Sequence, residues 1–115
     1  MKIKILIPVY NDWKSVFKVL DKINDLDLNS EIQISVIIIN DASNHDIPDL
    51  EKSLEKINSI KVLNMKKNQG HTRSIAVGLK YIFEKEDFDY AIPMDGDGED
   101  RPEEIKVFLD HVETF

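Results

Sequence analysis

The chain has no cysteine. That excludes disulfides and thiolate metal sites, and it fits a reducing compartment. No uninterrupted apolar run comes near the roughly 20 residues needed to span a bilayer. The opening residues, Met1-Lys2-Ile3-Lys4-Ile5-Leu6-Ile7-Pro8, are too short and end wrongly for a secretory leader. The sequence alone therefore predicts a cytoplasmic protein, neither inserted in nor exported across a membrane. Basic residues are outnumbered, with 15 Lys and Arg against 22 Asp and Glu and a formal net charge of -7. This argues against a nucleic acid held through its phosphates. A phosphate-bearing ligand would need a metal ion or helix N-termini to offset the repulsion. Internal repeats, low-complexity tracts and linkers are also missing, so nothing divides the chain.

What is present suits one small domain. The 115 residues are 42% hydrophobic and 32% charged, ordinary values for a soluble globular protein with a real core. Residues 3–9 form a nearly continuous apolar run, which predicts a strand buried on both faces. Pro8 sits at its end, where a lost ladder donor matters little. After the turn Tyr10-Asn11-Asp12, the spacing of Trp13, Val16, Phe17, Leu20 and Ile23 predicts a helix over residues 12–25. Residues 32–39 are the most β-branched stretch and predict a second strand, ended by Asn40-Asp41-Ala42-Ser43-Asn44. Ile47, Leu50, Leu54 and Ile57 predict a second helix over residues 46–57.

A third strand is predicted over residues 60–65, then the basic loop Lys66-Lys67-Asn68-Gln69-Gly70. A third helix over residues 70–85 should turn Ile75, Leu79, Ile82 and Phe83 inward. Residues 90–94 predict a fourth strand. Pro102 opens a last helix carrying Ile105, Phe108, Leu109 and Val112. The order β-α-β-α-β-α-β-α implies a mostly parallel sheet with helices on both faces, a Rossmann-like α/β fold. The turns after strands one, two and four then share the carboxyl-terminal edge, where open α/β sheets bind ligands.

The chemistry concentrates in Asp95-Gly96-Asp97-Gly98-Glu99-Asp100, directly after the fourth strand. Clustered carboxylate oxygens suit hard divalent cations, and the glycines let the backbone approach a ligand closely. The other reading is a solvated acidic turn whose acids favour the positive end of the next helix. An EF-hand loop is excluded by register: counting from Asp95, the sixth position is Asp100 and the twelfth is Lys106. Asp41 ends the second strand, where an acid can accept from a ribose or base; an Asx-turn is the plain alternative. The turn after strand one has no glycine, which speaks against a nicotinamide dinucleotide. Tyr10 can stack on a base. Asp12 can accept from a base or cap the first helix. His71 and Arg73, beside Lys66 and Lys67, can reach a phosphate or a sugar. Trp13 reads as core, and His45 and His111 as surface.

Four segments together resemble the family two glycosyltransferases, nucleotide-sugar transferases with the GT-A fold. They are Ile7-Pro8-Val9-Tyr10-Asn11-Asp12, Ile39-Asn40-Asp41-Ala42-Ser43, Asn68-Gln69-Gly70-His71-Thr72-Arg73, and the stretch from Met94 through Glu104. The last looks most like the polyprenyl-phosphate sugar synthases. The resemblance implies that Pro8, Tyr10, Asp12, Asp41, Arg73 and Asp95 bind the nucleotide sugar. It implies that Asp95 and Asp97, matching the family's Asp-x-Asp motif, hold Mg²⁺ or Mn²⁺ on the donor diphosphate. The usual paired aspartates after strand two are Asn40-Asp41 here. The family's catalytic domain runs to roughly twice this length, beyond the common domain size.

The chain is thus expected to be a single, C-terminally truncated domain, 1–115, that binds the donor, a UDP- or GDP-sugar. The implied reaction is inverting transfer to a polyprenyl phosphate or a saccharide. Its general base would lie beyond residue 115, so the chain alone would turn over little. Further expectations are a homo-oligomer and a place at the inner face of a membrane in the full-length protein. Two rivals stand beside this reading: a non-catalytic nucleotide-binding or assembly module, and a phosphatase of the haloacid dehalogenase type built on Asp95-Gly96-Asp97-Gly98.

Overall fold

The computed structural model describes residues 1–44, 47, 54–95 and 102–112, with residues 110–112 described by backbone only. Its elements are β1 (Lys2–Val9), α1 (Trp13–Asn24), β2 (Gln33–Asn40), β3 (Ile57–Asn64), α2 (His71–Lys85), β4 (Tyr90–Pro93) and α3 (Glu104–Val112). The strands form one sheet in the order β3-β2-β1-β4. All pairings are parallel, with Ile5 opposite Val36 and Ile92, and Ile38 opposite Val62. This is the α/β architecture the sequence predicts.

Strand alternation assigns the two faces. Ile3, Ile5, Ile7 and Val9 of β1 join Ile34, Val36 and Ile38 of β2 in one core. Trp13, Val16, Val19, Leu20 and Ile23 of α1 and Ile105 and Leu109 of α3 cover it. On the other face, Leu6, Ile37 and Ile39 pack with Ile82 of α2. The chain runs from β1 outward to β2 and β3 and returns through α2 to β4, on the other side of β1. Crossing back places α2 on the opposite face from α1. The strand order therefore reverses at β1, where a crevice opens at the carboxyl edge. At the amino edge, Lys2 binds Asp87 at 2.5 Å, and its backbone N–H donates to Asp89 at 2.6 Å. The hydrogen bond and charge of Lys2 hold the Asp87 carboxyl below its usual range. Among the described residues no helix is long and apolar enough to cross a membrane.

Several local expectations change. The third strand begins at Ile57 rather than 60, because Ile57 pairs with Ile34 ahead of a register shift. Most of the helix predicted over 46–57 lies outside the described residues. Within it, Ile47 is exposed, and Leu54 packs against the core. The inward face of α2 is Ser74, Gly78 and Ile82, with Ile75 partly buried. Leu79 and Phe83 point outward, Phe83 with 79% exposure. The cause is Gly78: a Cβ there would overlap the methyls of Leu6, so its absence lets the helix settle closely on β1. Helix α3 starts at Glu104, with Pro102 in the preceding turn. Its Phe108 is 42% exposed but meets Tyr90 edge-on at 5.5 Å.

Candidate functional site

The site is assembled from turns at the carboxyl edge. After β1, Asn11 takes a positive φ of 64°, a conformation asparagine tolerates. The Asp12 N–H donates to the Tyr10 carbonyl at 2.8 Å, closing a three-residue turn. Asp12 then caps α1, its carboxylate accepting the Ser15 N–H at 3.3 Å. The plain reading of Asp12 is thus realised, and its second oxygen keeps acceptor capacity. Tyr10 is 48% exposed, so its ring is open to a ligand.

The turn after β2 is stitched to this one. The Asn11 N–H donates to Ser43 Oγ at 2.9 Å, and the Asn44 N–H to Asn11 Oδ1 at 2.7 Å. Asn44 Nδ2 donates to the Tyr10 hydroxyl at 3.2 Å. Asn40 accepts the Ser43 N–H and donates to Asn64 Oδ1 at 2.9 Å, binding the ends of β2 and β3. The sequence marks these residues only as turn formers. Their mutual bonds rigidify the rim, and the composition of the turns is the sole signal for them.

Asp41 is 3% exposed. Its Oδ1 accepts the Gln69 N–H at 2.7 Å, and its Oδ2 the Gly70 N–H at 2.9 Å. Gly70, at φ 88°, turns the chain into α2. The next residue, His71, meets Oδ1 of Asp95, just past the end of β4, through its Nε2. Met94 continues the β4 pairing by donating to the Leu6 carbonyl at 2.8 Å. Pro8, Val9, Tyr10, Asp41, His71 and Ser74 line one concavity of about 80 Å³.

The structure therefore brings Pro8, Tyr10 and Asp41 together, with Asp95 reached through His71. Arg73 is not part of that group. It donates to Gln69 Oε1 at 3.1 Å and lines a neighbouring cleft of about 590 Å³ with Met65, Lys66, Lys67 and Val77. Two residues along a helix is a rotation of about 200°, so His71 and Arg73 must face opposite flanks. Asp97 lies outside the described residues, as do Glu99 and Asp100. Among the described residues no group of three or more acids and histidines is placed to hold a metal. The carboxylate of Asp95, 39% exposed, is an oxygen donor of the kind Mg²⁺ and Mn²⁺ accept.

A parallel sheet with its strand order reversing at β1, and a pocket on that edge beside the acid just past β4, define the open α/β class of fold, whose ligand crevice lies at this switch point. The Glycosyl transferase family 2 model matches residues 4–114, and the chain belongs to that family. It is 26% identical over 110 residues to an uncharacterised protein of Methanocaldococcus jannaschii, covering 94% of this chain and 45% of that one. The chain thus spans less than half the length of the curated relative it matches. Among solved structures it is similar to S. aureus TarS 1-349, with a TM-score of 0.67 at 22% identity over 96% of this chain and 33% of that one. The complex of TarS 1-349 with UDP-GlcNAc matches with the same TM-score of 0.67 at 22% identity, over 96% and 32% of the two chains. The complex with UDP matches at 0.64 and 23% identity, over 96% and 32%. These structural likenesses show a shared GT-A fold.

Proposed function

We propose that this chain is the donor-binding half of a metal-dependent glycosyltransferase. It would take a nucleoside-diphosphate sugar and deliver the sugar to an acceptor held by another part of a longer protein. The observation that carries this reading is the shared pocket of Pro8, Tyr10, Asp41 and His71, with Asp95 tied to its rim. Family membership supports it, and so does the likeness to TarS, which has been solved with UDP-GlcNAc and with UDP.

Each residue then has a task. Tyr10 offers an exposed ring for the base to stack on, and Pro8 shapes the wall beneath it. Asp12, with an oxygen to spare beyond its cap, accepts from the nucleoside. Arg73, in the adjacent cationic cleft, reaches the sugar or a phosphate. Asp95 and Asp97 would hold Mg²⁺ or Mn²⁺ against the diphosphate. When bound, the ion offsets the charge that builds on the leaving nucleoside diphosphate. On a chain of net charge -7, that compensation favours the binding of a diphosphate. The acceptor oxygen, from a polyprenyl phosphate or a saccharide hydroxyl, attacks the anomeric carbon with inversion as the bond to the nucleoside diphosphate breaks; a phosphate oxygen attacks as an anion, and a hydroxyl gives its proton to a base outside this chain.

Calorimetry with UDP and GDP, each with and without Mn²⁺, tests the proposal. The expected result is nucleotide binding that needs the metal and is lost in Asp97→Asn. A folded chain that binds neither nucleotide in Mn²⁺ contradicts it.

A further inference from the structure

We infer that Asn44 is a positioning residue that holds the Tyr10 ring ready for a nucleotide base. The inference rests on the nucleotide reading of the pocket and adds to it a residue outside the pocket lining. Tyr10 is 48% exposed, and an exposed tyrosine at a turn can swing about its two side-chain torsions. Ordering such a side chain is part of what binding costs. Here the tip of the ring is tied before any ligand arrives, because Asn44 Nδ2 donates to the Tyr10 hydroxyl at 3.2 Å. The ring is thus held at both ends, by its own backbone after β1 and by the turn after β2. Pro8 and Asp41 share the concavity beside it. Asp41 accepts one backbone N–H on each oxygen and has lone pairs left for a base N–H.

Asn44 is itself held by the turn it serves. Its N–H donates to Asn11 Oδ1 at 2.7 Å, and the Asn11 N–H donates to Ser43 Oγ at 2.9 Å. Asn44 therefore grips two successive residues, Tyr10 through its side chain and Asn11 through its backbone. Both turns also contain a left-handed residue, Asn11 at φ 64° and Ala42 at φ 56°. Asparagine tolerates that region, but alanine carries a Cβ and has no polar group to compensate. Such a conformation persists where surrounding bonds over-determine it, and it gathers at ligand sites. The bonds in question come from Ser43 and Asn44, the two residues directly after Ala42. The strained bend at Ala42 is what brings Asn44 back over the first turn and onto Tyr10.

The experiment compares the wild-type chain with Tyr10→Phe, Asn44→Ala and the double variant. Asn44→Ala removes the tie to the ring but keeps the backbone N–H on Asn11, so the turns stay joined. Affinities are measured in Mn²⁺ for UDP, GDP and inorganic pyrophosphate. Each single variant should weaken both nucleotides by about fivefold, the effect of having to order one side chain on binding. Pyrophosphate, which has no base, should be unaffected, and the double variant should be no weaker than Tyr10→Phe alone. An equal loss for all three ligands in Asn44→Ala overturns the inference in favour of a merely structural role. Losses that multiply in the double variant, or no loss at all, overturn it too. A second readout needs no ligand. Three-bond couplings should show a single χ1 rotamer at Tyr10 in the wild-type chain and averaged rotamers in Asn44→Ala. Averaging in the wild-type chain overturns the tether even if the variants do not fold. Should the wild-type chain hold one rotamer yet bind neither nucleotide, the tether stands and the nucleotide reading falls.

Discussion

Helix α1 lays Val16, Val19, Leu20 and Ile23 on one face of the sheet, whereas α2 meets the other face through Ser74, Gly78 and Ile82. The first contact is made by large side chains filling space. The second is made by small ones letting the backbone come close. The two helix ends differ in the same way. Asp12 caps α1 from within its own first turn, and Asp41 serves α2 from another strand. A helix held by its own residues is a local structure. A helix served by a distant carboxylate and a missing side chain depends on the sheet for both contacts. That second kind of helix borders the pocket.

Substitutions can break this contrast in order of size. Leu20→Ala should cost about 3 kcal/mol in denaturant unfolding, since Leu20 is 1% exposed within the α1 core. Gly78→Val should cost about 2 kcal/mol by forcing α2 away from Leu6, and Leu6→Ala should recover part of that loss. Asp12→Ala should cost about 1 kcal/mol, the ordinary value of a lost N-cap. Phe83→Ser should leave stability within about 0.5 kcal/mol, because that ring packs against nothing in the α2 interface. A large loss in Phe83→Ser, or none in Gly78→Val, would restore the inward face that apolar spacing predicts.

The contrast also explains what was legible beforehand. The β1 and β2 runs, the helix after them and the parallel order follow from apolar periodicity, because these elements bury what their own sequences display. The turns after β1, β2 and β4 could be placed on one edge for the same reason. The inward face of α2 was not legible. Ile75, Leu79, Ile82 and Phe83 form a better apolar stripe than Ser74, Gly78 and Ile82, and only the close approach to Leu6 selects the latter. Ile57 continued the spacing of a helix, yet pairing with Ile34 made it a strand residue. Arg73 and His71 stood together in the sequence and part company on the helix surface. The acid of Asp41 was visible, but its partners lie 28 and 29 residues away, beyond any periodic signal.

Amide spectra of the chain recorded with UDP while Mn²⁺ is added in small amounts test the convergence of these turns most directly. A single paramagnetic ion should broaden Asp95, His71 and Tyr10 first, and UDP should shift residues 8–12 and 41–44, with the amino edge around Lys2 and Asp87 untouched. Broadening centred on that amino edge, or on the outer surface of α2 around Phe83, would contradict a shared nucleotide and metal cleft.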